Sequence, residues 1–194
     1  MAVSIRFARP EDAAELAAIY APYVLRTAIT FEYEPPGAEE FRRRIEAVQR
    51  RYPYLAAEED GVLLGYCYAS AFKGRAAYDW AAETSIYVRQ DAHRRGLGRR
   101  LYAVLEDLLR AQGILDMLAS IALPETEDEY LTLDSVRFHT ALGFREIARF
   151  PDIGSKFGRW YSMVWMDKVL GAHTPEPEPV RPVSALGFGA DTRF

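Results

Sequence analysis

The sequence predicts a mixed α/β fold. Apolar residues recur at helical spacing in four segments, a favoured two-residue turn joins two extended runs, and a later run is apolar almost throughout. Of the 194 residues, 49% are hydrophobic and 27% are charged, which is the balance of a globular domain. We expect one domain over residues 1–170, followed by a proline- and glycine-rich tail over 171–194 that is mobile or wraps the surface.

The chain begins with a predicted strand and a predicted helix. Residues 4–7 alternate between polar and apolar side chains, as a half-buried strand does. The following helix has Pro10 in its first turn and is expected to end near Ala21, because Pro22 has no amide hydrogen to donate inside a helix. Residues 27–33 are rich in β-branched and aromatic side chains, and they could form a strand or an ordered loop.

A second helix and a hairpin come next. The helix is predicted over 37–51 because one apolar stripe runs along an otherwise charged segment, formed by Ala38, Phe41, Ile45 and Val48. Two extended runs, 54–58 and 62–70, flank Asp60 and Gly61. This residue pair favours the tight turn of a β-hairpin, so the two runs are expected to pair with each other.

Strands and helices alternate in the second half of the chain. A strand is predicted over 81–88, and a helix over 96–111 that Gly113 ends. Residues 115–123 form a nearly continuous apolar run, which is typical of a strand covered on both faces and predicts a central position in the sheet. The remaining elements are a helix that begins near Asp134 or Ser135 and stops before Gly143, and strands over 144–150 and 160–169.

The composition argues against several kinds of partner. There are 24 Lys and Arg against 28 Asp and Glu, so the net charge of −4 does not favour nucleic acid or an anionic membrane. With one cysteine, Cys67, and three histidines, no dedicated metal site is expected. No apolar run approaches the roughly 20 residues of a membrane span, and the charged N-terminus is unlike a signal peptide. The expected location is therefore the cytoplasm.

A basic loop between a predicted strand and a predicted helix carries the strongest functional signal. Residues 93–100 read HRRGLGRR, so four arginines stand where the helix begins. The first amides of a helix attract anions, whereas cations there are unfavourable unless an anion is bound. We interpret the loop as a phosphate cradle, with a solvated basic patch as the alternative. It lacks the Gly-x-x-x-x-Gly-Lys run of a Walker loop, and Leu101 replaces the third glycine of a dinucleotide fingerprint.

Three separated motifs carry a family resemblance. The x-x-Gly-x-Gly pattern of the loop resembles the pyrophosphate loop of the GNAT superfamily of acyl-CoA-dependent acetyltransferases. Residues 76–88 and the segment FHTALGF at 138–144 are similar to the phosphinothricin N-acetyltransferases of that superfamily. The similarity covers residues 5–169. It implies a GNAT fold, an α/β arrangement in which about four helices flank a central twisted mixed sheet of about six or seven strands, and it implies a homodimer.

The resemblance assigns contacts with acetyl-CoA, the expected cosubstrate, to a strand, the loop and the start of a helix. Main-chain amides near Ile86 or Tyr87 are expected to stabilise the oxyanion, because the family's strands separate there. In two places the chain departs from the family: His93 replaces a Gln or Arg, and an acidic insertion at 125–133 precedes Asp134, which replaces an asparagine. The expected coenzyme residues are Ile86, Tyr87, Val88, His93, Arg94, Arg95, Gly96, Leu97, Gly98, Arg99 and Asp134.

The resemblance also implies which residues meet the acceptor. Glu83 is expected to be the general base, with a structural pairing to an arginine as the alternative. His139 is expected to relay protons or orient the substrate, and the alternative is a buried core histidine. Lys73 and Arg75 fit an acceptor that carries a carboxylate or phosphinate. The expected acceptor-binding residues are Phe31, Lys73, Arg75 and Tyr78.

These assignments predict an N-acetyltransferase. It would move the acetyl group of acetyl-CoA to the primary amine of a small amino-acid-like acceptor, of the phosphinothricin or methionine sulfone type. One alternative keeps the fold and changes the acceptor to a polyamine, an aminoglycoside or a protein N-terminus. Another is a non-catalytic acyl-CoA sensor, whose loop binds pyrophosphate without chemistry. The expected partners are the small-molecule amine and a second copy of the chain.

Overall fold

The computed structural model describes residues 3–188 and 192–194. Within this part of the chain, seven strands form one sheet and four α-helices pack on it. The strands are Ser4–Phe7 (β1), Tyr54–Glu59 (β2), Val62–Ala71 (β3), Ala81–Val88 (β4), Asp116–Leu123 (β5), Arg145–Lys156 (β6) and Arg159–Val169 (β7). The helices are Ala13–Arg26 (α1), Ala38–Gln49 (α2), Leu97–Gln112 (α3) and Asp134–Ala141 (α4). The predicted mixed α/β architecture, with four helices flanking a sheet of seven strands, is confirmed.

Near the centre of the sheet, two neighbouring strands pair over only part of their length. The strand order is β1-β2-β3-β4-β5-β7-β6, and β4 and β5 are the parallel neighbours in it. Their pairing runs only from Ala81 opposite Asp116 to Glu83 opposite Leu118. Both strands continue beyond that point without pairing to each other. We call these unpaired ends, residues 84–88 of β4 and 119–123 of β5, the fork.

Helices cover the two faces of the sheet differently. α3 and α4 pack on one face, where Leu101, Leu105 and Leu109 of α3 are fully buried. α1 and α2 pack on the opposite face over β2 and β3, with Leu16 and Ile45 as fully buried contacts. Since successive strand residues point to opposite faces, neighbouring residues of β4 face different environments.

Most predicted elements are confirmed, and the differences follow from packing. The Asp60-Gly61 turn is present, with both residues at positive φ, and Gly113 ends α3 in the left-handed conformation. The prediction that the first helix ends near Ala21 is wrong, because α1 continues through Pro22 to Arg26. The last turn buries Tyr23 and Val24, and this apolar packing offsets the hydrogen bond that Pro22 lacks.

Three boundaries also depended on tertiary contacts. Residues 27–33 form an ordered loop, the second of the two predicted possibilities. The strand predicted over 144–150 extends to Lys156, because β7 pairs with it across an irregularity between Phe150 and Gly154. α4 begins at Asp134 after Leu133, with no side chain capping it. In the described part of the chain, no helix combines the length and apolar character needed to cross a membrane.

The described tail residues contact distant parts of the domain. The side-chain amide of Gln112 at the end of α3 donates to the carbonyl oxygens of Arg51 and Arg181, both at 2.7 Å. Val183 is buried, and its amide donates to Arg51 as well. At the end of the chain, the amide of Phe194 donates to the carbonyl oxygen of Ile5 at the edge of the sheet. The tail therefore joins α2, α3 and β1.

We expect a chain that ends at Leu170 to be less stable than the full chain. Truncation removes one acceptor of the buried Gln112 amide and exposes the apolar surface under Val183. Losses of about 2–4 kcal/mol would lower the melting temperature by about 4–15 °C in a domain of this size. Differential scanning calorimetry of both proteins measures the change. Equal melting temperatures would show that the tail contributes nothing to the fold.

Candidate active site

A basic cleft opens where β4, α3 and α4 meet. Its volume is about 480 Å³. All the expected coenzyme residues line it except Tyr87 and Arg95. Ile86 and Val88 line it from β4, and Asp134 lines it from the first turn of α4. The fold thus brings together three separate segments of the chain that the resemblance assigns to one ligand.

The loop beside this cleft has the geometry of an anion site. Arg94 has a φ of 62° and Gly96 a φ of 77°, so both lie in the left-handed region. Left-handed residues within a loop turn successive N–H groups toward one side, which is how backbone anion sites are built. α3 begins immediately afterwards at Leu97, and no side chain caps its first amides. These residues fit a diphosphate, which would meet free N–H groups and the positive end of the helix dipole.

The four arginines of the loop divide into two pairs. Arg95 forms an ion pair with Glu59 at 2.8 Å, and Arg100 donates to the carbonyl oxygen of Val3 at 2.7 Å. Arg94 and Arg99 line the cleft, and across residues 3–188 and 192–194 their side chains have no hydrogen-bonding or ion-pair partner. Two guanidinium groups are therefore available for an anionic ligand.

His93 anchors the loop to the rest of the domain. Its Nε2 lies 2.8 Å from the Tyr23 hydroxyl and 3.1 Å from the carbonyl oxygen of Val88. The Tyr23 hydroxyl also donates to that carbonyl oxygen. This side chain therefore holds the loop against α1 and the end of β4, while its ring still borders the cleft.

Glu83 lies at the start of the fork. It is the last residue of β4 that pairs with β5, and its Oε1 accepts a hydrogen bond of 2.8 Å from Ser120 Oγ. Within the described residues no arginine contacts its carboxylate, so the alternative of a structural ion pair is not what the structure shows. A partly exposed carboxylate held by one hydroxyl keeps lone pairs available to accept a proton.

A cavity lined by tyrosines lies on the other face of β4 from the basic cleft. Its volume is about 230 Å³, and its aromatic walls include Tyr20, Tyr66, Tyr68 and Tyr87. Tyr68 is opposite Ser85 in the sheet. Ser85 is two residues after Glu83 on β4, so Tyr68 and Glu83 lie on the same face. Burial raises the pKa of Tyr68 and Tyr87, so both hydroxyls stay protonated and can donate hydrogen bonds at neutral pH.

An ion pair completes the wall of this tyrosine cavity. Arg44 of α2 donates to Glu32 of the loop between α1 and α2 at 2.9 Å. Both charges lie close enough to Tyr68 to influence the pKa of its hydroxyl in opposite directions. Arg44 also pairs with Glu40 at 3.0 Å, so two carboxylates neutralise its charge. The cavity therefore combines aromatic surface with hydroxyl donors, which suits a small polar ligand.

The expected acceptor residues lie around the open part of the same face. The rings of Tyr78 and Trp165 both meet Phe72 edge to face, and Lys73 Nζ lies 5.0 Å from the centre of the Phe72 ring. Trp165 is opposite Ser120 in the sheet, which places it on the face that carries Glu83. Arg75 is exposed close by along the chain. This geometry groups Lys73 and Tyr78 and adds Trp165 to them.

The structure does not bring His139 together with Glu83. The imidazole is 4% exposed and packs on the α3 side of the sheet among the rings of Tyr102, Phe138 and Phe144. Its two ring nitrogens contact the Tyr102 hydroxyl and the carbonyl oxygen of Ser135. Burial lowers the pKa of His139, which favours the neutral ring.

The loop between α1 and α2 is fixed by the β6–β7 hairpin. Phe31 packs so closely on Gly154 that a Cβ at this glycine would lie 2.2 Å from the Phe31 ring. Next to it, the buried Lys156 donates to the carbonyl oxygen of Thr30 at 2.7 Å. Phe31, an expected acceptor residue, therefore holds the loop that supplies Glu32 to the tyrosine cavity.

We expect Gly154→Ala to destabilise the protein and to weaken acceptor binding. The added methyl group must displace Phe31, and overpacking of this kind costs about 1–3 kcal/mol, or about 2–12 °C in melting temperature. Melting curves and the acceptor KM measure the two effects. Gly74→Ala is the control for stability, because a Cβ there meets no atom within 4 Å. Equal melting temperatures for Gly154→Ala and Gly74→Ala would show that the contact between Phe31 and Gly154 has no structural importance.

Comparison with known proteins identifies the family. The Acetyltransferase (GNAT) domain matches residues 5–165. This chain belongs to the GNAT acetyltransferase family. It is 36% identical to the phosphinothricin N-acetyltransferase of Streptomyces viridochromogenes over 92% of this chain and 94% of that protein. It is 35% identical to the L-amino acid N-acyltransferase MnaT of Escherichia coli over 92% of this chain and 99% of that one.

A solved structure shows the same architecture in a relative. This GNAT protein matches the phosphinothricin acetyltransferase of Sinorhizobium meliloti, which was crystallised in complex with acetyl-CoA, with a TM-score of 0.82 and 32% identity. The match covers 92% of this chain and 94% of the other. The fold, the family and the acetyltransferase class expected from the sequence are therefore confirmed.

The acidic insertion of this acetyltransferase is structured. Asp128 accepts hydrogen bonds of 2.8 Å from the amides of Tyr130 and Leu131, and Arg159 of the β6–β7 hairpin bonds to both Asp128 and Glu129. The Arg159 guanidinium and these amides lower the pKa of Asp128. The insertion is therefore held to the hairpin and does not present a free acidic surface there.

Sequence reasoning missed most of the tyrosine cavity. Tyr66 and Tyr68 are two residues apart on a predicted strand, and that spacing was a signal that they share one face. Arg44 and Glu32 had no such signal, because 12 residues and a helix start separate them along the chain. Ser120 lies within a nearly continuous apolar run, and nothing in that run indicates its contact with Glu83, which depends on the fold.

Proposed function

We propose that this enzyme transfers acetyl from acetyl-CoA to the primary amine of a small amino-acid-like acceptor. The observation that carries the proposal is the position of Glu83 at the fork, with the basic cleft on one face of β4 and the tyrosine cavity on the other. A thioester that extends from the cleft through the fork would reach the face of β4 that carries both this carboxylate and the tyrosine cavity.

Acetyl-CoA supplies the activated acetyl thioester. An amine with a pKa of about 8–10 is mostly protonated at neutral pH, so it must lose a proton before it can attack. Glu83 accepts that proton directly or through a water molecule. The C–N bond then forms as the thioester C–S bond breaks, and CoA leaves as a thiolate that takes a proton from solvent. Main-chain amides at Ile86 or Tyr87 stabilise the oxyanion, because β4 no longer pairs with β5 at these residues.

The coenzyme contacts proposed for this chain follow the cleft. Arg94, Arg99 and the amides of residues 96–98 hold the diphosphate, and Ile86, Val88 and Asp134 line the path toward the fork. Arg95 neutralises Glu59, so its contribution to the ligand is smaller.

The acceptor assignment rests on charge and size. Lys73 and Arg75 are exposed cations, and Lys73 lies beside the Phe72 ring. Arg44 is a third cation at the cavity wall, where it pairs with Glu32 and Glu40. A cavity of about 230 Å³ suits an amino acid better than an aminoglycoside. Relatives named for phosphinothricin, for L-amino acids and for methionine sulfoximine or sulfone support this choice.

An acceptor panel tests the proposal. Pure protein is incubated with acetyl-CoA and phosphinothricin, methionine sulfone, spermidine, an aminoglycoside or a peptide with a free N-terminus, and free thiol is measured. The expected result is release with the first two compounds and little with the others. Thiol release only with spermidine, the aminoglycoside or the peptide would show that the acceptor belongs to that other class of amine. Tight acetyl-CoA binding without turnover on any amine would favour the sensor alternative.

We also propose a homodimer and a cytoplasmic location. The exposed apolar side chains Ile147 and Ile153 lie on β6, the edge strand of the sheet, and exposed Trp160 lies on the neighbouring β7. They support a contact with a second copy. The free, buried thiol of Cys67 and the use of acetyl-CoA suit a reducing compartment. Light scattering after size exclusion would distinguish a dimer from a monomer.

A further inference from the structure

A chain of buried side chains supports the fork from the side of α3 and α4. His139 Nδ1 lies 2.7 Å from the carbonyl oxygen of Ser135, and its Nε2 lies 3.1 Å from the Tyr102 hydroxyl. The Tyr102 hydroxyl is 3.3 Å from Thr84 Oγ1, which is 2.9 Å from the carbonyl oxygen of Leu118. The side chains of His139, Tyr102 and Thr84 are all buried.

This series of buried side chains ends where β4 and β5 stop pairing. Leu118 is the last residue of β5 that pairs with β4, and Thr84 is the first residue of β4 beyond that pairing. The Thr84 hydroxyl therefore connects the two strands at the base of the fork. Its neighbour Glu83 points to the opposite face, so a shift of the backbone at Thr84 also moves the Glu83 carboxylate.

The hydrogens in this series of side chains can be assigned from the carbonyl groups at its two ends. The carbonyl oxygens of Ser135 and Leu118 only accept, so Nδ1 of His139 carries a hydrogen and the Thr84 hydroxyl donates to Leu118. A neutral imidazole then has a bare Nε2, and the Tyr102 hydroxyl donates to it. Each hydrogen already has an acceptor, so none is left between the Tyr102 and Thr84 oxygens, and their approach at 3.3 Å is a packing contact. His139 thus holds Tyr102 and has no spare proton for a leaving thiolate.

We propose that Thr84 is a positioning residue that sets the separation of β4 and β5 at the fork through its hydrogen bond to Leu118, and that Tyr102, held by His139, packs against its side chain. This inference rests on the proposed function, which places acetyl transfer at the fork. It gives His139 a role that differs from the proton relay expected from the resemblance.

Two substitutions at Thr84 separate its hydrogen bond from its packing. Thr84→Val keeps the shape and removes the hydroxyl, whereas Thr84→Ser keeps the hydroxyl and removes the methyl group. Because a small misplacement of reacting groups is costly, we expect Thr84→Val to lower kcat by about 10-fold and to change the KM for acetyl-CoA by less than about 3-fold. Thr84→Ser is expected to stay within about 3-fold of the parent kcat. Equal kcat for Thr84→Val and the parent would overturn the proposal.

The pH profile separates positioning from proton transfer at His139. Tyr102→Phe and His139→Asn are expected to lower kcat while the pH dependence of kcat/KM keeps the shape of the parent profile. Loss of one limb of the profile in His139→Asn alone would assign the proton relay to this residue and overturn the positioning role.

Hydrogen exchange tests the fork without any acceptor. Amides of residues 118–123 are expected to exchange faster in Thr84→Val than in the parent, and at the parent rate in Thr84→Ser. This measurement stays decisive if the acceptor panel shows no turnover, which would refute the proposed function alone. Unchanged exchange in Thr84→Val would show that the hydroxyl does not hold the strands and would overturn the inference.

Discussion

Glu83→Gln is expected to lower kcat by about 10²–10⁴, because the amide keeps the shape of the side chain and cannot accept a proton from the acceptor ammonium. Acetyl-CoA binding should change by less than about 3-fold, since Glu83 lies on the face of β4 opposite to the basic cleft. Thiol release gives kcat, and titration calorimetry gives the Kd for acetyl-CoA.

Two further variants make this result specific. Glu176→Gln makes the same chemical change in the exposed tail and should retain the parent kcat. Ser120→Ala removes the hydroxyl that orients the Glu83 carboxylate, so a loss of about 10-fold is expected, smaller than that of Glu83→Gln. A kcat for Glu83→Gln within about 3-fold of the parent would remove this residue from the role of base.

Arg94→Ala and Arg99→Ala are each expected to raise the Kd for acetyl-CoA by about 10- to 100-fold. A charge-assisted hydrogen bond to phosphate contributes about 1.5–3 kcal/mol, and neither guanidinium has another partner within residues 3–188 and 192–194 to compensate. The loss should grow at low ionic strength, where the charge interaction in the parent is strongest. Calorimetry at two salt concentrations measures both effects.

Arg95→Ala supplies the matched comparison for these two variants. It removes the same charge from the same loop, but this guanidinium is neutralised by Glu59 at 2.8 Å. A rise in Kd of less than about 3-fold is expected. If all three substitutions weakened binding equally, net charge of the loop would explain the effect, and the assignment of Arg94 and Arg99 as direct phosphate ligands would be wrong.

Features encoded by adjacent residues could be predicted before the fold was known. The Asp60-Gly61 turn and the end of α3 at Gly113 each depend on the backbone preferences of a few consecutive residues. The position of residues 116–123 at the centre of the sheet followed from their continuous apolar character.

Features that depend on contacts between distant residues could not be predicted in this way. The end of α1 was misplaced because Tyr23 and Val24 are buried by tertiary packing beyond Pro22. The pairing of Arg95 with Glu59 joins the loop to β2, and nothing near either residue in the sequence indicates it. The same holds for Arg44 and the tyrosine cavity, whose members come from two helices and three strands.

The amino-acid order alone was sufficient for the α/β class and for the family, because each depends on local spacing or on contiguous motifs. The folded chain was needed to show which arginines are available, that His139 lies behind the sheet, and that β4 separates a basic cleft from a tyrosine cavity. Strand register and helix packing determine these relationships. They are collective properties of segments up to 100 residues apart, so no local pattern contains them.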